Sequence, residues 1–330
     1  MRLIYYRSTV PNFGDDLNND LWPALAPELF AGNEKPDQGF VGIGTIIGSP
    51  AEGVHRLHVF SSGVGNDPLD AWRDREVTWW CVRGPVSVRK LGLDAACALT
   101  DGAVLAPFVK DYPKAAAQER TKVLVIPHFQ SLRFGGWERA CQMAGFELLD
   151  PRASPKAVVA KIASAKMVLT ESLHGAIFAD LYGVPWHAFA VTKNFGVVKW
   201  IDWLAGLGRP FEVTPVPAPD MRLLLAYGRR PEPMGQQITF TLNDVEQEFE
   251  QRLGVGEAPS PGLKSLTKAA VARAPGVGRL FGYHPAGTAE GLTRLAMTSA
   301  RSTDPMVIGT LQERMLERLQ ALRVSQAGLR

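Results

Sequence analysis

One histidine in this chain stands where a proton donor and an anion would meet. His174 lies in the run Thr170-Glu171-Ser172-Leu173-His174-Gly175, between the apolar strand Met167-Val168-Leu169 and a short helix that Gly183 and Pro185 bring to a stop. In open α/β sheets ligands bind at the carboxyl edge of the strands, and a helix N-terminus favours anions there. An imidazole, whose ordinary pKa lies near neutrality, suits proton transfer at such a place. The pattern points to acid–base chemistry on an acidic small molecule. The plainer alternative is a structural histidine filling the strand–helix turn.

Other residues could serve the same site. Arg83 ends a strand before Gly84-Pro85, where its guanidinium could grip a carboxylate or phosphate as a bidentate fork. The alternative is a surface ion pair, the usual fate of an isolated arginine. Lys199 opens a helix and suits a phosphate as a point charge, and Lys193 is its rival. His128 follows Pro127 at the end of the strand Val123–Ile126, placed to orient an acceptor or phosphate, or to serve as a hydrogen-bonded loop histidine. Asn12, Gly14 and Asp15 follow the first strand. Asp15 is either a base for a hydroxyl or the N-cap of the first helix, and the cap is the favoured reading.

These residues need a scaffold, and the hydrophobic pattern supplies one. Short apolar strands at Arg2–Tyr6, Gly39–Gly42, Leu57–Ser61, Thr78–Val82 and near Ala98 alternate with helical patches after Asp15, Asp67 and Pro85. A second alternating unit runs from Lys122–Ile126 through a helix at Trp137–Met143, a strand at Phe146–Leu149 and a helix at Ser154–Ala165. It continues into the histidine strand and helix, the strand Trp186–Val191 and the helix headed by Lys199. Such alternation argues for parallel sheets flanked by helices. The expected architecture is α/β: a Rossmann-like domain over residues 1–110, a second over 121–215 carrying the histidine motif, and a basic, mainly helical extension over 216–330. The segment Pro107–Thr121 reads as a linker. In the extension, residues 258–303 carry six basic side chains against one acidic, Glu290. Asp304-Pro305 then opens a helix with apolar residues at Ile308, Leu311, Met315, Leu319 and Leu322. That helix either packs on the other domains or meets anionic lipid or a lipid-linked substrate.

Composition narrows the function further. With 330 residues, 46% hydrophobic, 21% charged and a net charge of +3, the chain is not a strongly basic nucleic-acid binder. Cys81, Cys97 and Cys141 show neither CxxC spacing nor an even framework, which favours a reducing compartment. The first strand is too short for a signal peptide, and no apolar run approaches the roughly 20 residues that span a bilayer. A cytoplasmic location is expected. No metal site is expected, His55 and His58 included. Gly42-Ile43-Gly44 followed by Gly48 misses the dinucleotide spacing GxGxxG by one residue and reads as tight turns near a cleft. No nucleophile elbow of the G-x-S-x-G kind occurs. The tryptophans read mainly as core, with Trp186 and Trp203 close enough to the motifs for sugar stacking.

The stretch Thr170–Trp186 resembles the signature of the polysaccharide pyruvyltransferase family, in which a Ser-Arg-Leu-His segment runs into a helix ending at Gly-x-Pro. Asn12-Phe13-Gly14-Asp15 resembles the family's amino-terminal Asn-x-Gly-Asp turn. Cys81-Val82-Arg83-Gly84-Pro85 is similar to its strand-end arginine segment, Leu99-Thr100-Asp101-Gly102 to the following aspartate turn, and Lys199–Gly208 to its lysine-headed helix. The resemblance covers roughly residues 1–210. Ile126–Ser131 and the tail Ser302–Arg323 look most like the bacterial exopolysaccharide, succinoglycan-type branch. One departure matters: Ser172 occupies the arginine position of Ser-Arg-Leu-His, so a hydroxyl, backbone amides or another cation must replace that charge.

The resemblance implies a GT-B-like fold, with two Rossmann-like domains facing a cleft. It implies phosphoenolpyruvate as co-substrate, no separate cofactor, and a sugar diol that becomes a cyclic pyruvate ketal. The acceptor would be a saccharide or lipid-linked oligosaccharide, met at the cytoplasmic face of the inner membrane. His174 would supply the proton, with Glu171 and the bound anion offsetting the helix field that disfavours an imidazolium. Asp15 would take a hydroxyl proton. Arg83, Lys199 or Lys193, Ser172, His128, Asn12 and Gly14 would bind substrate. The alternatives are a nucleotide-sugar glycosyltransferase of the same architecture and a non-catalytic anion-binding protein on that fold.

Overall fold

The computed structural model describes residues 1–31, 37–65, 67–120, 122–253, 282–300 and 302–327. Two sheets organise it. The first is parallel, in the order β1-β2-β3-β4, with β1 at Arg2–Ile4, β2 at Gln38–Val41, β3 at Arg56–Phe60 and β4 at Glu76–Cys81. The second has six strands: β5 at Lys122–Ile126, β6 at Glu147–Leu148, β7 at Ala165–Thr170, β8 at Trp186–Ala190, β9 at Phe211–Pro215 and β10 at Ile238–Phe240. Its order is β10-β9-β8-β7-β5-β6, parallel except for β10 against β9. The fold is therefore α/β, as the alternating pattern predicts. Strands β9 and β10 lie outside that prediction, and β10 puts a strand in the extension expected to be mainly helical.

Helices α1 (Phe13–Leu25), α2 (Pro27–Phe30) and α3 (Pro85–Leu91) belong to the first sheet. Leu17 and Leu21, one turn apart, are fully buried and fix the inward face of α1. Asn18 is buried between them and the Gly42-Ile43-Gly44 turn. Its Oδ1 accepts the Ile43 N–H at 2.8 Å and the Trp22 indole N–H at 2.8 Å. A Cβ on Gly42 would lie 2.2 Å from that oxygen, so this glycine serves a tight approach of turn to helix.

The second sheet carries α4 (Trp137–Ala144), α5 (Pro155–Ala163), α6 (Leu173–Leu181), α7 (Val197–Gly206), α8 (Met221–Tyr227) and α9 (Val245–Leu253). Strand β7 is central, and its last three residues, Val168–Thr170, are all fully buried, as a parallel strand covered on both faces requires. Helices α10 (Pro285–Ala296) and α11 (Pro305–Ala327) complete the described chain. No helix among the described residues is long and apolar enough to cross a membrane.

Several expectations change here. The segment read as a linker is packed: Gly102–Phe108 forms a 3₁₀ turn, Val109 and Tyr112 are buried, and the Tyr112 hydroxyl donates to Asp20 at 2.9 Å. Its polar and alanine-rich composition hid those two anchors. The region near Ala98 is a single bridge to Val82 rather than a strand, and the patch after Asp67 is one 3₁₀ turn, Leu69–Trp72. Trp186 and Trp203 are buried with rings 5.8 Å apart, so they are core rather than sugar platforms.

The terminal helix takes the packed alternative. Asp304 caps it by accepting the Met306 N–H at 2.9 Å, and Ile308, Leu311, Met315, Leu319 and Leu322 are all buried. Although it follows the second half in sequence, α11 packs against β4, α2 and the Gly102–Phe108 turn of the first. Gln312 donates to the Val104 carbonyl at 2.7 Å, and Arg323 pairs with Glu28. Of the basic residues that suggested a lipid surface, Lys264, Lys268, Arg273, Arg279 and Arg301 lie outside the described residues. Arg294 pairs with Glu290 at 3.3 Å. Because Met315 is fully buried at the seam between α11 and the first half, Met315→Ala is expected to lower stability by about 2–5 kcal/mol. Urea denaturation checks this, and a change below about 1 kcal/mol would show that α11 contributes little to the fold.

Candidate active site

A cleft of about 610 Å³ opens between the two halves, at the carboxyl edges of their strands. From the first half come Asn12 and Asp15 of the turn after β1, Gly44 and Thr45 of the turn after β2, and Arg83 after β4. From the second half come His128 and Phe129 after β5, Ser172, Leu173 and His174 after β7, and Asn194 and Lys199 after β8. The N-terminal ends of α1, α6 and α7 converge there, and their partial positive charges favour an anion.

His174 sits in the first turn of α6, which Ser172 caps by accepting the Gly175 N–H at 3.3 Å. Its ring is held from two sides. Nε2 lies 3.6 Å from Asp101 Oδ1, an ionic contact longer than a hydrogen bond. On the other side, a Cβ on Gly14 would fall 1.9 Å from His174 Nδ1. No side chain larger than a hydrogen fits at Gly14 while the imidazole keeps its place, which explains the glycine in Asn12-Phe13-Gly14-Asp15. Nε2 is shut away from solvent, while the residue as a whole lines the cleft. Asp101 is fully buried, and its Oδ1 accepts the Ala103 N–H at 3.0 Å. Burial works to raise its pKa, but the neighbouring His174, the Ala103 N–H and the Arg83 charge hold it below the usual carboxylate range. The aspartate is the charge partner of His174, the place Glu171 was expected to fill.

Asp15 stands in the first turn of α1, and Asn12 takes the N-cap position. The favoured reading of Asp15 as the cap is thus corrected: the cap lies three residues earlier, and Asp16 reaches back to the Asn12 N–H at 3.1 Å. Asp15 accepts the Asn12 side-chain N–H at 2.7 Å and lines the cleft. Burial raises its pKa above the ordinary 3.8, with His174, Asn12 and Lys199 opposing.

Arg83 is neither exposed nor a surface ion pair. It is 1% exposed, its Nε donates to Asp202 Oδ2 at 3.1 Å, and its Nη1 donates to Thr45 Oγ1 at 2.8 Å. Its Nη2 lies over Gly63, where a Cβ would approach to 2.1 Å, and has no hydrogen-bond partner within the protein. A buried, unpaired donor on a cation is costly, while Nη1 and Thr45 meet where both residues line the cleft.

Glu171 lies behind the wall of the cleft. Its carboxylate accepts the Val191 N–H at 3.0 Å and the His128 N–H at 3.1 Å, tying the loops after β8 and β5 to β7. Burial pushes its pKa up to about 7, although those two N–H groups, the Lys199 charge and Ser131 oppose the shift. Its role is to hold the His128 loop. His128 itself lines the cleft beside Asn194, whose amide donates to Gln130 at 2.8 Å. Of the two rival lysines, Lys199 lines the cleft, while the Lys193 side chain lies against Gly228. His58 accepts the Trp80 indole N–H at 3.2 Å, a structural contact. No group of three or more His, Cys, Asp or Glu side chains among the described residues could hold a metal ion.

Local sequence does not single out Asp101, Asp202, Thr45 or Asn194 as site residues. Asp101 and Asp202 both sit in segments that carried the family resemblance, so register with those motifs was the available signal. Thr45 and Asn194 gave none.

An α/β protein with a cationic, histidine-bearing cleft at the carboxyl edges of two sheets is a candidate for a transferase acting on an anionic donor. Residues 55–193 match the family model described as polysaccharide pyruvyl transferase. The succinoglycan biosynthesis protein ExoV of Rhizobium meliloti (strain 1021) is 34% identical over 224 residues, covering 66% of this chain and 68% of that protein. No solved structure matches. The chain belongs to the polysaccharide pyruvyl transferase family.

The geometry of Glu171 makes a pH prediction. Its carboxyl ionises near 4.5 when unfolded and near 7 when folded. The stability its proton confers is full below pH 4.5 and is lost as pH rises through 7, on the order of 3 kcal/mol in all. Urea denaturation of the wild type and Glu171→Gln across pH 4.5–8 is expected to show a slope in the wild type that the variant lacks. Equal slopes would mean that Glu171 does not titrate in this window.

Proposed function

We propose that this protein transfers pyruvate from phosphoenolpyruvate to two hydroxyls of a sugar, releasing phosphate and leaving a cyclic ketal. The observation that carries the reading is the placement of His174, fixed between Asp101 and Gly14 in a cleft that also holds Arg83 and Lys199. A proton donor beside two cations suits a donor with a carboxylate, a phosphate and a protonatable enol methylene.

In this reading Arg83, Lys199 and the N-terminus of α6 hold the donor anion, the last doing part of the work of the arginine that Ser172 replaces. His174 gives its proton to the methylene carbon, producing a methyl group and an oxocarbenium-like carbon. A sugar oxygen bonds to that carbon, the bond from carbon to the phosphate oxygen breaks, and a second sugar oxygen closes the ring. Two hydroxyl protons are released; one restores His174 and the other leaves with phosphate. Asp15 takes up the hydroxyl proton that then leaves with phosphate, and its raised pKa makes it a stronger base than an ordinary aspartate once ionised. Asn12 fixes that carboxylate, and His128 with Asn194 faces the acceptor. The two parallel sheets flanking one cleft suit a GT-B-like enzyme. The relative's place in succinoglycan biosynthesis supports an exopolysaccharide intermediate as acceptor, carried on lipid at the cytoplasmic face of the inner membrane.

Thermal-shift titration with phosphoenolpyruvate, beside uridine diphosphate and NAD, tests the donor. Phosphoenolpyruvate alone is expected to raise the melting temperature, with the effect reduced in Lys199→Met. His174→Ala should still bind the donor but release phosphate at least about 100-fold more slowly with a membrane glycolipid fraction as acceptor. Stabilisation by uridine diphosphate instead would make the protein a nucleotide-sugar glycosyltransferase. Donor binding with no turnover in the wild type would make it an anion-binding protein.

A further inference from the structure

We infer that Asp202 is the positioning residue of the donor site, setting the guanidinium of Arg83 from the opposite half of the molecule. The inference rests on the donor assignment above. Asp202 is fully buried on α7, one turn beyond Lys199. Its carboxylate takes three donors from the first half: Arg83 Nε at 3.1 Å, the Ser87 N–H at 3.0 Å and the Ser87 hydroxyl at 2.6 Å. The backbones are keyed as closely as the side chains, because a Cβ on Gly84 would lie 1.8 Å from the Asp202 carbonyl oxygen.

The way the pair is made is informative. A carboxylate that merely neutralised Arg83 would take two of its N–H groups side by side. Here Asp202 Oδ1 accepts the Ser87 N–H, and Arg83 is held at Nε alone. Thr45 takes Nη1, and Nη2 is left without a partner. Asp202 thus fixes the plane of the guanidinium, whose Nη1 side meets Thr45 where both residues line the cleft. Because Lys199 lies on the same helix, one element sets both cations: Lys199 directly and Arg83 through Asp202. The halves cannot part at this end of the cleft without exposing a buried ion pair, so the two cations keep a fixed separation.

Calorimetric titration with phosphoenolpyruvate tests this in the wild type, Asp202→Asn and Met315→Ala, the last a destabilised control whose residue does not line the cleft. Asp202→Asn is expected to bind phosphoenolpyruvate at least about tenfold more weakly, and Met315→Ala within about twofold of wild type. Side-chain ¹⁵N spectra of the wild type give a second reading that does not require Asp202→Asn to fold. The Arg83 Nε–H signal, assigned by its loss in Arg83→Lys, should be protected from exchange and stay so when phosphoenolpyruvate is added. Wild-type-like affinity in Asp202→Asn, or an Nε–H released by the ligand, would overturn the positioning role while leaving the donor assignment intact. A wild type that does not bind phosphoenolpyruvate would remove both.

Discussion

A guanidinium with 1% of its surface exposed is the constraint around which the two halves are arranged. A charge taken out of water costs several kcal/mol unless it is paired and hydrogen-bonded, so burying Arg83 requires a carboxylate. The carboxylate comes from a helix 119 residues away in sequence, on the other sheet. That requirement brings α7 onto the end of β4, and α7 brings Lys199 with it. The relation between the sheets is therefore set at the donor end of the cleft by ionic pairing. Elsewhere it is set by the apolar seam of α11, which returns from the second half to lie on the first.

Close approach is the second consequence. Gly14 leaves room for the His174 ring, Gly63 for the Arg83 guanidinium and Gly84 for the backbone of Asp202. At each of these positions a Cβ would sit about 2 Å from an atom that the site depends on. None of the three adopts a positive φ, so the demand is for space rather than for an unusual backbone conformation. Glycine permits a polar side chain to lie directly against a peptide plane, which is how a histidine and an arginine can both be immobilised in a cleft without further side chains crowding the ligand space.

The periodic features were legible in the sequence, and the pairings were not. Strands β5, β7 and β8 are apolar runs bounded by turns, and α11 shows its buried stripe from Ile308 to Leu322 as a helical period. Local rules suffice for such elements because one face or both must leave water. His174 was legible for the same reason, since a strand end meeting a helix start needs no tertiary information. What Arg83 and Glu171 do was hidden, because each is decided by a partner distant in the chain. Arg83 reads locally as an anion-gripping arginine or a surface ion pair, and only Asp202 makes it a buried, paired one. Glu171 sits three residues from His174 and reads as its charge partner, yet the extended backbone after β7 directs it into the loops after β5 and β8. Asp101 takes the place beside the ring. Tyr112 shows the same limit in the apparent linker, where one buried aromatic outweighs a polar neighbourhood.

The exchange of Glu171 for Asp101 alters how the site balances charge. The positive end of α6 attracts an anion and repels a proton on the His174 ring. A second carboxylate in the cleft, beside Asp15, would offset that field but would also repel the donor. Asp101 avoids the conflict, because it is fully buried behind the ring and meets it at Nε2, on the side away from the ligand space. Asp202 stands in the same relation to Arg83, facing Nε while Arg83 itself lines the cleft. In both cases the negative partner lies behind a cation or proton carrier whose front faces the cleft. An anion entering from the front meets oriented positive groups at short range, while their counter-charges act from farther away. Since Coulomb attraction falls with distance, this front-to-back ordering lets a buried site with compensated charge still bind an anion, which a net count of charges would not reveal.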